Sequence, residues 1–495
     1  MVVEWYRLPK TVFFIPSCCG ALQKSTRGVS FFAALRQAKG IRVDKKDNIR
    51  CRSRRSFKKR FSLCALSLLL AVSVLFLACC GTVTPPPSAE EKQALIDRIE
   101  TVNVEACGSM AECFGRWKLP KGYDVSKLTS AESVIYQHYY KPIVPAEAAR
   151  TAVDCFLNLY YDKISFSDKT AYTDALLRCM VLALGDDYAV YRTAAEYAGY
   201  ANSMSGTYGG IGMTVRKDYT SGEVEVIRLI AGAPAERAGV MLGDLLYSVE
   251  GTLVTKETID SAFEKMQGEV GAAVHFEIKR GDRIISFEIV RENLDNITVS
   301  YKMLEGNIAY IAVTAFKGTT AKYFKEYIDK AEAAGAVGFI FDMRDNPGGY
   351  LVSVQDVLDH LAPKGSTLFS YGTQKNPPDE YFSTSEHSIS LPSVVLCNAA
   401  TASAGELFTA AMRDYNSAGI LKATVVGTDA ATFGKGIMQA SFPLKDNSVI
   451  TLTTALYNPP CGVNYHGVGV IPDVTCEESE AMDTAVAQLL KLIQK

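Results

Sequence analysis

Three short apolar runs, each followed by a loop of small and polar residues, restrict what this chain can fold into more than any other feature. Ala336-Val-Gly-Phe-Ile-Phe341 runs into Asp342-Met-Arg-Asp-Asn-Pro-Gly-Gly349. Ser393-Val-Val-Leu-Cys397 runs into Asn398-Ala-Ala-Thr-Ala-Ser-Ala-Gly-Glu406, and Val425-Val426-Gly427 precedes Thr432-Phe-Gly-Lys-Gly-Ile-Met-Gln439. Apolar runs of strand length without polar alternation belong to sheets covered on both faces. Alternating segments over 297–304 and 308–313, then a helical pattern over 320–333, complete a strand–helix–strand unit with the first run. In such an α/β layer, loops at the strand ends are where a site is built.

Those loops hold residues with chemistry. Ser403 lies among small residues at the start of a helical pattern (Leu407, Phe408, Ala411, Met412), and Lys435 lies between Gly434 and Gly436 with Gln439 four residues on. A serine hydroxyl is a weak nucleophile until a base takes its proton, and a lysine is such a base once its amine is neutral. The flanking glycines let the backbone around Lys435 pack close to a neighbour, and burial lowers a lysine pKa. Taken singly, each element has a plainer reading. A serine opening an Ala-rich helix is a cap, a lysine between glycines is a solvated loop residue, and Pro-Gly-Gly is a turn. Their order along one chain favours a Ser–Lys hydrolase.

Composition excludes several alternatives. With 495 residues, 48% hydrophobic and 21% charged, the chain has the make-up of a folded protein of two or three domains, not of a disordered or nucleic-acid-binding one. Its net charge of -2 conceals an asymmetry: residues 1–60 carry 16 of the 52 Lys and Arg but 3 of the 54 Asp and Glu. The basic end is therefore local, and the rest of the chain is acidic. None of His138, His275, His360, His387 and His466 falls in the three loops; His466 adjoins Gly467-Val-Gly-Val470, but no partner motif completes a Ser–His–Asp triad. Asp342 and Asp345 read as strand-end and loop-fixing carboxylates. The 13 cysteines show no Cys-x-x-Cys spacing, so neither a metal nor another cofactor is expected. Cys107 and Cys113 are placed either to close a small disulfide loop or to lie as buried thiols, the reading favoured here.

The amino-terminal part reads as an export or anchoring device. Phe61 to Cys80 carries no charge and follows Arg52, Arg54, Arg55, Lys58, Lys59 and Arg60. A basic flank before an apolar run marks a signal sequence or a transmembrane helix held positive side in. The run ends Leu77-Ala78-Cys79-Cys80-Gly81 and passes into a Pro-rich tether over 81–89, which resembles a bacterial lipoprotein signal with Cys79 or Cys80 as the lipidated residue. Residues 1–60 form a basic extension, either a cytoplasmic tail or a segment outside the mature protein. The expected location is extracytoplasmic, attached to the bacterial cell membrane.

Residues 90–204 have helical periodicity and no chemistry of their own, which suits packing, a homodimer surface or a lid support. Over 205–293 the composition changes to strand-like segments around Tyr208-Gly-Gly-Ile-Gly-Met213, Gly232-Ala-Pro-Ala-Glu-Arg-Ala-Gly239 and Gly243-Asp-Leu-Leu246. This order resembles a PDZ domain of the bacterial type. Backbone N–H groups of a glycine-rich turn suit a terminal carboxylate while the ligand adds a strand to a sheet edge. Gly210, Ile211, Gly212 and Met213 would be that turn, with Ile211 and Met213 offering an apolar pocket.

Together, Arg344-Asp-Asn-Pro-Gly-Gly349, Thr401-Ala-Ser-Ala-Gly-Glu406, Thr432 to Gln439 and Gly467-Val-Gly-Val-Ile-Pro-Asp473, preceded by the PDZ-like segment, resemble the carboxyl-terminal processing (tail-specific) proteases. Leu184-Gly-Asp-Asp-Tyr188 resembles the lead into that family's PDZ domain. The resemblance implies an α/β fold: a crotonase/ClpP-like βαβ peptidase core over 294–495, with an N-terminal helical region and an inserted PDZ domain of β-sandwich or barrel type. It implies Ser403 as nucleophile, Lys435 as general base, Gln439 as the residue orienting the lysine, and N–H groups of Gly348, Gly349 and Ala404 as the oxyanion hole. An amide at 439 accepts from the amine without the negative charge that would favour its protonated form. Gly405 departs from the family, which commonly has a serine there. The implied substrates are proteins or peptides with free, apolar C-termini. The alternative is a catalytically silent PDZ-containing scaffold or adaptor, which intact Ser403, Lys435 and Gln439 argue against.

Overall fold

The computed structural model describes residues 88–373 and 378–494. The extension 1–60, the apolar run 61–80, Cys79, Cys80 and nearly all of the tether lie outside the described residues. Among the described residues no helix is long and apolar enough to cross a membrane.

The first region is helical: α1 (Ala89–Thr101), α2 (Met110–Arg116), α3 (Val125–His138), α4 (Pro145–Leu159) and α5 (Lys169–Leu182). Local chemistry sets their starts. Ser88 and Glu91 form a reciprocal capping box before α1, Asp124 and Asp168 cap α3 and α5, and Pro145 occupies the first turn of α4. The short strand β1 (Val190–Arg192) and helix α6 (Ala194–Met204) follow, and α6 has no buried residue.

The β-rich insert begins with β2 (Thr207–Gly210), β3 (Met213–Lys217), β4 (Val224–Leu229) and the short α7 (Pro234–Arg237). It continues through β5 (Leu245–Val249), β6 (Thr252–Leu253), α8 (Ile259–Met266), β7 (Ala273–Arg280) and β8 (Arg283–Val290), and leaves by β9 (Glu292–Asp295). Strands β3, β4, β5, β7 and β8 form an ordered sheet with β6 beside β5, over a core that includes Val226, Leu246 and Phe276. The Gly243-Asp-Leu-Leu start is held by Asp244, whose carboxylate takes two hydrogen bonds from Arg280, each of 2.7 Å, and one from Met241 N–H. Burial alone would raise the Asp244 pKa, but these donors outweigh it and hold it below the usual carboxylate range.

The last region carries β10 (Val299–Leu304), β11 (Ile308–Val313), α9 (Thr320–Ala333), β12 (Gly338–Asp342), α10 (Leu351–Leu361), β13 (Thr367–Gly372) and β14 (Asp379–Phe382). Then come β15 (Ser393–Cys397), α11 (Ala404–Ser417), β16 (Ala423–Gly427), β17 (Ile437–Pro443), β18 (Val449–Asn458), β19 (Val474–Thr475) and α12 (Ala481–Gln494). One sheet runs β10-β11-β12-β15-β16-β19, parallel except for the edge strand β10. The three apolar runs are its adjacent strands β12, β15 and β16. Side-chain alternation sends Phe339, Phe341, Val395 and Val425 into the core with Phe324, Val354 and Phe408 of α9, α10 and α11. Ile340, Val394, Leu396 and Val426 pack instead with Ala485 and Leu489 of α12. Both faces are covered, which explains why the runs have no polar alternation.

A second sheet, β1-β18-β13-β14 with β17 on β18, was not legible from the apolar runs. It binds the first region to the last. β1 pairs antiparallel with β18, and Ile450 and Leu452 of β18 join the helical core of Phe114, Trp117, Phe156 and Tyr172. The fold is thus mixed α/β with a helical region and a PDZ-like insert. Cys107 and Cys113 are buried free thiols, with Cys113 pushed up to about 12 by burial and its neighbour Cys107.

Candidate active site

The loops that leave β12 and β15 are laced together. Thr401 Oγ1 donates to the Met343 carbonyl at 2.8 Å, Ala402 N–H to the Asn346 carbonyl at 2.8 Å, and Asp345 N–H to Asn398 Oδ1 at 3.0 Å. Asp345 and Asp342 act as loop-fixing groups: Asn398 Nδ2 donates to Asp345, and the Arg344 guanidinium and Tyr310 hydroxyl donate to Asp342. On this base Ser403 stands half-buried at the mouth of α11 with φ 53° and ψ −118°. A non-glycine residue in such a conformation stores about 1–3 kcal/mol, held by its surroundings, and this kind of strain clusters at functional sites.

The Pro-Gly-Gly turn lies directly against this serine. A Cβ on Gly348 would sit 2.7 Å from Ser403 Cβ and 2.8 Å from Ala404 N, and one on Gly349 would sit 1.9 Å from the Phe316 carbonyl. Only glycine fits at either position, and both have positive φ. The structure corrects one part of the expected oxyanion cradle. Gly348 N–H donates to Asn346 Oδ1 at 2.8 Å, so it is already committed, and the part of Gly348 is close approach. Asn346 is fully buried, and its Nδ2 donates to the Val313 carbonyl. The N–H groups of Gly349 and Ala404 have no acceptor among the described residues.

Glu406, three residues after Ser403 and completely buried, joins the serine loop to the lysine loop. Its Oε2 accepts from Ser403 N–H at 2.8 Å and from Lys435 N–H at 2.7 Å. Its Oε1 accepts from Thr432 Oγ1 and Gly434 N–H, each at 2.6 Å. The glycines beside Lys435 allow the packing expected of them. A Cβ on Gly434 would meet Gly469 N at 3.1 Å, and one on Gly436 would meet His466 N at 2.9 Å.

Lys435 Nζ donates to Gln439 Oε1 at 2.8 Å, and Gln439 Nε2 donates to the Tyr188 carbonyl at 2.6 Å. The ammonium position lies 4.7 Å from the centroid of the Tyr188 ring. Burial pushes the Lys435 pKa down, and Asp186 and Glu406 oppose the shift without cancelling it. A register shift between Met438 and Gln439 in the β17–β18 ladder lies at the very residue that faces the lysine. Two tyrosines support the loops from β18 and beyond: Tyr457 OH donates to the Lys435 carbonyl at 3.0 Å and Tyr465 OH to the Ser403 carbonyl at 3.3 Å. Burial raises both of their pKa values.

Glu406, Asn346, Tyr188, Tyr457 and Tyr465 were given no role from the sequence. A Ser-x-x-Glu spacing before a helix is a capping-box signal that points to Glu406, while Tyr188 lies 251 positions from Gln439 and leaves no local trace. His466 proves a neighbour of the site through Tyr188, their ring centroids 6.2 Å apart, and its Nδ1 is buried without a partner. The other glycine turn is placed elsewhere. Gly210 ends β2, and Gly212 has φ 83°, where a Cβ would meet Ala233 Cβ at 2.3 Å. Ile211 and Met213 do not offer an open apolar pocket: their side chains are buried in the core of the insert. Among the described residues no hydrogen bond joins this turn to the Ser403–Lys435 loops.

Comparison with known proteins gives two family matches: Peptidase family S41 over residues 307–476 and PDZ domain over residues 225–280. The carboxy-terminal processing protease CtpA of Bacillus subtilis (strain 168) is 30% identical over 319 residues, 64% of this chain and 66% of that protein. The carboxy-terminal-processing protease of Bartonella bacilliformis is 29% identical over 332 residues, 66% of this chain and 74% of that protein. The chain thus spans about two thirds of the length of the Bacillus relative. Among solved structures, the photosystem II D1 C-terminal processing protease matches with TM-score 0.44 and 23% identity, over 75% of this chain and 97% of that one.

Proposed function

Because the chain belongs to Peptidase family S41, among the carboxyl-terminal processing proteases with a PDZ domain, we propose that it is a serine endopeptidase that holds substrate tails and cuts them by a Ser–Lys mechanism. One observation carries the reading. Lys435 Nζ, desolvated and with a lowered pKa, is held by the neutral acceptor Gln439 Oε1, while one oxygen of Glu406 accepts from the backbone of both Ser403 and Lys435.

In the proposed reaction Ser403 Oγ attacks the scissile carbonyl carbon as its proton passes to the neutral amine of Lys435. The oxyanion forms before the N–H groups of Gly349 and Ala404, each such donor contributing about 3 kcal/mol of transition-state stabilisation. Lys435 then gives its proton to the leaving amine, and water hydrolyses the acyl-enzyme through the same base. Gln439 keeps the amine in place. The uncommitted N–H groups at Gly349 and Ala404 support this division of labour.

The PDZ unit, residues 205–293, would bind proteins or peptides with free apolar C-termini, and residues 294–495 would be a crotonase/ClpP-like core. The enzyme would act outside the cytoplasm, held by the apolar run 61–80 as a helix or through lipid on Cys79 or Cys80. Acyl label that persists when both cysteines are serine would remove the lipid route. Exposed Val144, Leu159 and Leu182 support a homodimer through the N-terminal helices, and a purely monomeric sedimentation profile at micromolar concentration would exclude it. Ser403→Ala and Lys435→Ala should each abolish cleavage of a protein with an unstructured apolar tail while leaving the circular dichroism spectrum unchanged. Cleavage retained by either variant overturns the mechanism. Tail binding retained by a wild-type protein that never cuts would favour the scaffold reading.

A further inference from the structure

We propose that Asp186 and Tyr188, in the turn between α5 and β1, are positioning residues for the base. Tyr188 holds the Lys435 amine in place, and the Asp186 carboxylate stabilises the ammonium that Lys435 becomes on taking the Ser403 proton. These parts rest on the Ser–Lys reading and deepen it. They give a role to Leu184-Gly-Asp-Asp-Tyr188, which the sequence marks only as the lead into the PDZ-like insert.

The turn is built to present the two residues. Helix α5 ends at Leu182, and Gly185, with φ 61°, turns the chain away from it. Asp186 Oδ1 accepts from Tyr188 N–H at 3.0 Å and the Asp186 carbonyl from Ala189 N–H at 3.2 Å, so the carboxylate itself shapes the turn. Tyr139 OH donates to the Leu184 carbonyl at 3.4 Å and ties the turn to the end of α3. Strand β1 then joins β18, which also pairs with β17 and so with the strand of Gln439. The Tyr188 carbonyl, 2.6 Å from Gln439 Nε2, fixes which end of that amide faces the lysine. With Nε2 engaged there, Oε1 is the atom left to accept from Lys435 Nζ.

The acids around the amine are not equivalent. Glu406 of α11 already accepts four hydrogen bonds, and Asp187 is exposed. Tyr457 and Tyr465 donate to the Lys435 and Ser403 carbonyls, and His466 lies beside the Tyr188 ring. Asp186 differs, because its Oδ2 is buried with no hydrogen-bond partner. A buried carboxylate oxygen left open costs free energy, which a positive charge appearing nearby offsets. Burial lowers the Lys435 pKa, and Asp186 opposes that shift more strongly than Glu406 does. Among the described residues no ion pair joins Asp186 to Lys435, which leaves burial to decide the resting form of the amine. A contact ion pair would hold the proton on the lysine before Ser403 could give up its own. A carboxylate beyond contact favours the ammonium only enough to assist the transfer, as the aspartate of a Ser–His–Asp triad does for its imidazolium. The Tyr188 ring, 4.7 Å from Nζ, acts in the same sense, since the face of an aromatic ring attracts a cation.

Asp186→Asn keeps an oxygen for the Tyr188 N–H and removes only the charge, so it separates electrostatics from the shape of the turn. The full chain is assayed for kcat/KM against pH on a protein with an unstructured apolar tail. Without the carboxylate the Lys435 pKa falls further, and the acid limb should move to lower pH by about 1 unit. The plateau above the limb should fall about threefold to tenfold, because a weaker base takes the proton less readily. The two profiles should therefore cross, the variant being slower above the limb and no slower below it. Tyr188→Leu, which keeps the carbonyl, should lower kcat about threefold or more, and Tyr188→Phe should restore most of that loss. An acid limb that stays in place, whatever the loss of activity, or a Tyr188→Leu variant as active as Tyr188→Phe, overturns the proposal. Cleavage retained by Lys435→Ala is the separate failure of the Ser–Lys reading. With that variant inactive, an unmoved limb counts against Asp186 alone.

Discussion

The molecule contains two glycine turns that the sequence presents as equals, and they are fixed in different ways. Gly348-Gly349 is locked into the central layer. Asn346 Oδ1 takes the Gly348 N–H, Phe316 N–H donates to the Gly348 carbonyl at 2.8 Å, and the Tyr350 N–H donates to Phe316 at 2.7 Å. Gly210-Ile-Gly212 is locked only within its own unit, where Ile230 N–H donates to the Gly212 carbonyl and Ala235 N–H to the Ile211 carbonyl. That unit meets the core through the β2–β9 pair and a few contacts near Gly206, such as the hydrogen bond from Thr319 Oγ1. A turn that must meet a developing charge has to be rigid relative to the nucleophile. A turn that collects tails needs rigidity only around its ligand. Changes in the first turn's surroundings should therefore act on kcat, and changes in the second on KM.

The largest effects break the rigid half. Ser403→Ala or Lys435→Ala should lower kcat by about 10⁴-fold or more, as losses of a nucleophile or its base do elsewhere, with binding of a tail peptide to the PDZ unit unchanged. Equilibrium binding and steady-state cleavage, measured side by side, would contradict the comparison if both fell together. Next in size is Glu406→Ala. It strands four donors around a buried site, and a buried donor left without an acceptor costs about 1–3 kcal/mol. The urea midpoint should drop and cleavage should vanish, since the Ser403 and Lys435 loops lose their shared acceptor. A variant that unfolds at the wild-type midpoint would show that Glu406 is not the joint between them.

Gln439→Glu sharpens the comparison at the lysine itself, although it also removes the donor to the Tyr188 carbonyl. A base acts through its neutral form, so activity rises with pH through the Lys435 pKa, which burial holds below the ordinary lysine value. A carboxylate in contact with the amine favours the charged form and raises that pKa by about 1–3 pH units. The acid limb of kcat/KM should move to higher pH, and the rate at pH 7 should fall about tenfold or more, with the rate at high pH largely regained. A uniform loss at every pH would mean that Gln439 positions the loop and does not tune the lysine.

What could be read in advance follows the range of the interactions. Strands β12, β15 and β16 were visible because burial on both faces leaves an unbroken apolar run, and the Ser403 and Lys435 loops were visible because their residues are close in sequence. The second sheet was not, since β1 reaches β18 across most of the chain and its pairing leaves no local mark. For the same reason Tyr188, which carries both the carbonyl behind Gln439 and the ring beside Lys435, had no assigned part. The commitment of the Gly348 N–H was closer to hand. An asparagine two residues before a glycine is an Asx-turn signal, and Asn346 uses its side chain in that way. The pocket expected from Ile211 and Met213 failed because both side chains are needed to fill the core of the insert.

The smallest effect lies in the turn that is fixed only within its unit. Gly212 has φ 83°, and a Cβ there would overlap Ala233 Cβ at 2.3 Å, so Gly212→Ala must shift the 210–213 turn against the 230–235 segment. An L-residue in this backbone region costs about 1–2 kcal/mol, and the clash adds to it. The loss falls on a unit whose own core of Val226, Leu246 and Phe276 does not include the glycine, so the fold should survive. KM for a protein with an apolar C-terminal tail should rise about tenfold, the equivalent of about 1.4 kcal/mol. kcat, and the cleavage of a short peptide that does not reach the PDZ unit, should stay at the wild-type level. A fall in kcat on the short peptide would mean that the two turns are mechanically coupled through β2 and β9, and the separation of roles between them would have to be abandoned.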